Sequence, residues 1–159
     1  PNFGPLNGVR VVHCSQSLAG PFAASLVADL GADVIWVESA VGQDVSRIAP
    51  GMAAQLDRRN MRTIKLNVNT PAGKEVLLRL VREADIFLEA SKPGQYKKWG
   101  LTDEVLWQAN PKLVIAHVSG FGQTGDPAYV SRPSFDPIGQ AFGGFAAVNG
   151  MPTAAGVAV

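Results

Sequence analysis

Short runs of β-branched and apolar residues alternate along the chain with stretches whose apolar positions recur every three or four residues. The first pattern fits strands covered on both faces, and the second fits helices. Val9–His13 is predicted as a first strand, followed by an alanine-rich helix from Gly20-Pro21 to Leu30. Pro21 suits that helix's first turn and Gly31 its stop. Asp33–Glu38 and Thr63–Leu66 are the next strands, separated by a polar, Gly- and Pro-containing loop from Ser39 to about Asn60. Thr70 and Pro71 open a helix whose Val76, Leu77, Leu80 and Val81 share a face. Asp85–Glu89 is the fourth strand, Thr102 caps a helix reaching Asn110, and Leu113–Ser119 is the fifth strand. A Gly-rich loop, Gly120–Gly125, precedes a helix over Asp136–Val148 that three glycines weaken. The tail from Met151 to Val159 is small and apolar, headed for a sheet or an interface.

This alternation predicts an α/β fold with a mostly parallel, Rossmann-like open sheet flanked by helices. The 159 residues, 47% hydrophobic and 17% charged, are enough for one well-buried domain. A net charge of +1 argues against nucleic acid as a partner. Cys14, the single cysteine, cannot form an internal disulfide, which points to a reducing compartment. No apolar run approaches the roughly 18 residues needed to span a bilayer, and Pro1-Asn2-Phe3-Gly4-Pro5 is no signal pattern. The expectation is a cytoplasmic chain with no membrane partner, and Pro1 in place of a methionine suggests processing, trimming or a fragment.

A helix that follows a parallel strand offers its N-terminus to an anion. Ser17-Leu18-Ala19-Gly20-Pro21 has one glycine where a dinucleotide fingerprint has three, and Pro21 removes an amide, so a NAD site is disfavoured. Two basic clusters stand in predicted loops. Arg58, Arg59 and Arg62 precede the third strand; Lys92, Lys97 and Lys98 follow the fourth, at the edge where open α/β sheets bind ligands. They suit a phosphate-rich ligand, and they equally suit a solvated surface. His13 and His117 both end strands at that same edge; no spacing supports a metal, so they read as core or lining residues. Cys14 reads as a small buried residue or a thiol nucleophile, and Asp44, Asp126 and Asp136 as caps or turn residues. None of this names a reaction.

The order of several short motifs does. Pro5-Leu6-Asn7-Gly8-Val9-Arg10-Val11-Val12 with Ala19-Gly20-Pro21, then Leu30-Gly31-Ala32-Asp33-Val34-Ile35-Trp36-Val37-Glu38, resembles the opening of family III CoA-transferases. So do Arg59-Asn60-Met61-Arg62, Asn69-Thr70-Pro71-Ala72-Gly73-Lys74, Asn110-Pro111-Lys112-Leu113-Val114, Ser119 to Gly125, and Gln140-Ala141-Phe142-Gly143-Gly144. These follow the family's order and spacing across essentially the whole chain. Glu89-Ala90-Ser91-Lys92 and Thr102–Gln108 look closest to its carnitine branch. Ala90-Ser91 and Leu18 depart from the formyl-CoA branch, which argues against an oxalate enzyme.

The resemblance implies a transferase that moves CoA between an acyl-CoA thioester and a carboxylic acid, here carnitine-like. In the family an aspartate attacks the thioester to form a mixed anhydride, CoA thiolate converts this to an aspartyl-CoA thioester, and the acceptor acid takes the CoA. By the family pattern that aspartate is expected one or two residues beyond Val159, so no catalytic residue is expected inside the chain. The family's second domain is expected to be lacking too, leaving residues 1–150 as a CoA-binding domain and 151–159 as the segment leading to the aspartate. Coenzyme A or acyl-CoA is the implied ligand, without a metal. Ala19 and Gly20 would let the backbone approach the nucleotide, and Lys92 and Lys98 would meet phosphate. Lys97 is the alternative to Lys98 if the register slips by one, and Arg62 is the candidate from the other cluster. Self-association to a dimer or higher oligomer is expected, because a chain this short would expose surface that family subunits bury. A non-enzymatic CoA- or nucleotide-binding module and an inactive relic are the alternatives.

Overall fold

The computed structural model describes residues 3–48 and 53–149. The β-branched runs form β1 (Arg10–His13), β2 (Asp33–Ser39), β3 (Met61–Leu66), β4 (Ile86–Glu89) and β5 (Val114–His117). All pair in parallel, in the order β3-β2-β1-β4-β5. The helices are α1 (Ala19–Asp29), α2 (Val45–Ile48), α3 (Ala53–Asp57), α4 (Pro71–Arg82), α5 (Gln95–Lys98), α6 (Asp103–Ala109), α7 (Pro127–Val130), α8 (Asp136–Phe142) and α9 (Phe145–Val148). Two compact units result, Pro1–Val118 with the sheet and Ser119–Val159 with α7 to α9.

Three expectations need correction. The stretch from Ser39 to Asn60 is not all loop: it holds α2 and α3. Lys97 and Lys98 lie on the one-turn helix α5, and Arg62 lies within β3, so neither basic cluster is confined to loops. The helix expected over Asp136–Val148 breaks into α8 and α9 at Gly143-Gly144, where Gly144 has φ +80°. That left-handed turn is open to glycine at little cost. The expected apolar tail lies outside the described residues.

Alternate strand residues build two cores. Val12, Ile35, Val37 and Phe87 pack on Leu77 and Val81 of α4 and on Leu101, Leu106 and Leu113. Val11, Val34 and Leu88 pack on Ala24, Ala28 and Ala32. Each large side chain so buried contributes about 1.5–3 kcal/mol. Helix α1 places its small residues inward: Gly20, Ala24 and Ala28 are buried, whereas Leu18, Phe22, Leu26 and Leu30 are exposed. Small residues let the helix axis approach the sheet closely. Helix α4 starts as expected, with Thr70 Oγ1 accepting from the Gly73 amide at 3.2 Å.

At the amino edge of the sheet Asp33 accepts from Arg10 Nε at 2.9 Å and from Arg62 Nη2 at 2.6 Å. Burial alone would raise the Asp33 carboxyl, but the two arginines hold it below the usual carboxylate range. Asp85 Oδ2 accepts from the Arg10 amide at 2.8 Å. These groups border an open cleft of about 900 Å³. In the second unit Phe121, Tyr129 and Phe142 form an aromatic cluster with ring centroids 5.1–5.9 Å apart. Asp126 caps α7 through the Ala128 amide at 2.8 Å, as expected of it. No helix of the described residues is long and apolar enough to cross a membrane.

Candidate functional site

The strand order reverses direction between β1 and β4, and at such a switch point the crevice outside the carboxyl ends of the strands is where open α/β sheets bind ligands. One wall is residues 14–18, running from β1 into α1. Gly20, in the first turn of α1, closes against the other wall. A side chain there would overlap Ser15 of the same loop and come within 3.3 Å of the Ala90 Cβ, so the packing around Ser15 requires glycine. The first turn of α1 has no intrahelical acceptors for its amides, and Pro21 has no N–H, so Ala19 and Gly20 supply the donors at this end.

The first wall is held by a buried ion pair. Ser17 adopts φ +63°, an uncommon conformation for a residue with a side chain. Its amide donates to Asp44 Oδ2 at 3.2 Å, and its carbonyl accepts from Arg58 Nη2 at 3.3 Å. The same Nη2 donates to Asp44 Oδ2 at 2.8 Å. Both side chains are buried, and the Arg58 guanidinium lies 4.4 Å from the centroid of the Trp36 ring. Asp44 is therefore half of a buried clamp and not the simple turn residue expected. Beneath it His13 is fully buried, parallel to Trp36 and 2.8 Å from Ser15 Oγ. Burial, then the nearby Arg58, push its imidazole down to about 3, with Asp44 opposing. His13 thus belongs to the core beneath this wall, where burial favours its neutral form.

The second wall is residues 90–94, after β4. Glu89 is buried at the strand end; its Oε2 accepts from the Ser91 amide at 2.6 Å and its Oε1 is 2.7 Å from His117 Nδ1. His117 Nε2 is 3.1 Å from Asp103 Oδ1, at the start of α6. Burial alone would lower the His117 pKa, but hydrogen bonds to Glu89 and Asp103 outweigh it and raise it. Cys14 and Tyr96 also face Glu89. Burial pushes the Cys14 thiol up to about 12, opposed by Tyr96 and aided by Glu89, which disfavours the thiolate.

The predicted residues divide by location. Ala19 and Gly20 begin α1 on the first wall, and Lys92 is exposed on the second. Lys97 and Lys98 are exposed on α5, just beyond. Consecutive helical residues do not share a face, and Lys97 lies within electrostatic reach of Glu104. Arg62 is not brought to this crevice: it sits at the opposite edge of the sheet, on Asp33. Arg59 is likewise committed, forming an ion pair with Asp29. Reasoning from the sequence missed Glu89 and Asp103, and it read Arg58 as part of a phosphate-suited cluster where the structure pairs it with buried Asp44. Glu89 had one available signal, since a glutamate closing an apolar strand before a Ser-Lys-Pro-Gly turn is poised to bond that turn's amides.

An open, all-parallel sheet flanked by helices is the doubly wound α/β architecture. The model of CoA-transferase family III matches residues 6–159, and the chain belongs to that family. It is 49% identical over 150 residues to the L-carnitine CoA-transferases of Proteus sp. (strain LE138) and Proteus mirabilis (strain HI4320). The match covers 94% of this chain and 37% of each relative, so the chain spans well under half their length. Among solved structures it is similar to a CAIB/BAIF family protein from Brucella suis, with a TM-score of 0.90 and 35% identity, covering 99% of this chain and 44% of that one. Rv3272 from Mycobacterium tuberculosis superposes with a TM-score of 0.83 at 34% identity, covering 98% of this chain and 43% of the other.

Proposed function

We propose that this chain is the CoA-binding part of a CoA-transferase that moves CoA between an acyl-CoA thioester and a carnitine-like carboxylic acid. The observation that carries the reading is the placement of Ala19, Gly20 and Lys92 on the two loops that flank one switch point, in a chain of this family. The amides of Ala19 and Gly20 approach the nucleotide, and Lys92 and Lys98 meet its phosphates as flexible point charges. Arg62, held by Asp33 at the other edge, is not included. The kinship with the L-carnitine CoA-transferases supports the choice of acid.

The transfer itself uses a carboxylate nucleophile. It attacks the thioester carbonyl and expels CoA thiolate, leaving a mixed anhydride. The thiolate then attacks the nucleophile's own carbonyl, releasing the first acid and forming an aspartyl-CoA thioester. The acceptor acid finally takes the CoA. By resemblance that aspartate lies just past Val159, and residues 1–150 form the domain that holds CoA. We further propose self-association through the exposed stripe Leu18, Phe22, Leu26 and Leu30 on α1.

Calorimetric titration of CoA into the chain tests the reading. Saturable binding that weakens with added salt is expected; no heat of binding at millimolar CoA overturns it.

A further inference from the structure

Glu89 and His117 are register partners on β4 and β5, and their side chains emerge on the same face of the sheet. Both ring nitrogens of His117 face carboxylate oxygens, Nδ1 at 2.7 Å and Nε2 at 3.1 Å. A neutral imidazole has one N–H and can satisfy only one of them; the imidazolium donates to both. The geometry is therefore built for the charged form. Glu89 is 3% exposed, and a carboxylate so enclosed is stabilised by a paired, hydrogen-bonded cation. The other groups facing it, Cys14 at the end of β1 and Tyr96 on α5, both have their pKa raised and stay uncharged at neutral pH. On α6 His117 meets Asp103. His117 is thus the cationic partner that this geometry gives Glu89.

Glu89 uses its second oxygen on the Ser91 amide, one residue before Lys92. The Lys92 carbonyl in turn accepts from the Gln95 amide at 3.0 Å, starting the turn into α5. A proton on His117 is thus connected through two short hydrogen bonds to the backbone that carries Lys92. We propose that His117 is a positioning residue: through Glu89 it fixes the Ser91-Lys92 turn, and its protonation tunes the grip of this wall on a CoA phosphate. The proposal rests on the CoA-binding reading above. With its pKa raised, His117 holds the turn fully below about pH 6.5, and the hold is lost as pH climbs through the raised value.

The test pairs a ligand-free readout with a binding one. The Ser91 amide proton is followed by NMR from about pH 6 to about pH 9 beside the His117 ring, and CoA affinity is measured by calorimetry over the same range. The ligand's phosphate titrates near pH 6 in every protein alike, so each variant is compared with the wild type. The Ser91 amide is expected to move with the His117 midpoint, and CoA affinity to fall about two- to tenfold across it, the net worth of one ordinary hydrogen bond, because the effect reaches the ligand only through the turn. His117→Gln should abolish both dependences. Asp103→Asn removes one carboxylate and should shift both midpoints to lower pH, which keeps the test open should His117→Gln fail to fold. A Ser91 amide indifferent to His117 overturns the proposal. So does a CoA affinity that follows one pH course in wild type and His117→Gln alike. If no CoA binds at any pH while Ser91 still tracks His117, the CoA reading fails and the His117-Glu89-Ser91 linkage stands.

Discussion

Arg58 donates to Asp44 at 2.8 Å with both side chains buried, and between them they hold Ser17 by its amide and its carbonyl. Removing one partner strands the other's charge. Asp44→Ala and Arg58→Ala are each expected to destabilise the chain by about 3–5 kcal/mol, read from urea unfolding. Arg58→Lys keeps the charge but loses the flat stack on Trp36 and should recover only part of the loss. If both alanine variants unfold within about 0.5 kcal/mol of wild type, the pair is not structural.

Gly20→Ala sets two magnitudes against each other. Alanine in a helix gains up to about 1 kcal/mol over glycine. The new methyl group, however, meets the Ser15 side chain and lies 3.3 Å from Ala90, and overpacking of this kind costs about 1–3 kcal/mol. Net destabilisation is expected, with Ser15→Gly in the same chain restoring part of it. A stabilised Gly20→Ala would mean that Ser15 gives way easily.

His13 sets the acid limit. Its folded pKa of about 3 lies below the unfolded value of 6.5, so the fold favours the neutral ring. Stability from this source is complete above about pH 6.5 and declines as pH falls toward 3, by up to about 1.4 kcal/mol per pH unit. His13→Asn should flatten that decline in a series of urea titrations between pH 7 and pH 4. An unchanged slope would mean that the acid sensitivity comes from carboxylates such as Asp33.

Replacing Lys92 and Lys98 together by alanine should weaken CoA binding about ten- to a thousandfold, at roughly 1–2 kcal/mol for each charge-assisted contact. Dephospho-CoA should suffer less if either lysine meets the 3′-phosphate. The salt dependence should shrink in the double variant. Equal affinities would mark both lysines as solvated surface.

The strands and α4 were legible because each has a local cause: β-branched runs bounded by turns, and a Thr70-Pro71 cap ahead of a periodic apolar face. Helices α2, α3 and α5 span four or five residues each, too short for any period to register. Arg58, Arg59 and Arg62 look alike in sequence, yet Asp44, Asp29 and Asp33 claim one each. Those partners lie 14 to 30 residues away in the chain, and no local pattern sorts them. Glu89 and His117 meet only through the β4–β5 register, 28 residues apart. The carboxyl-edge crevice could be anticipated from the alternation of strands and helices; the clamps on its two walls could not.

Those two walls are set from opposite faces of the sheet, one above a histidine kept neutral and the other through a histidine kept charged. Acid loosens the first and base loosens the second. Substitutions at His13 and at His117 are therefore expected to move the acid limit and the alkaline limit of this edge independently.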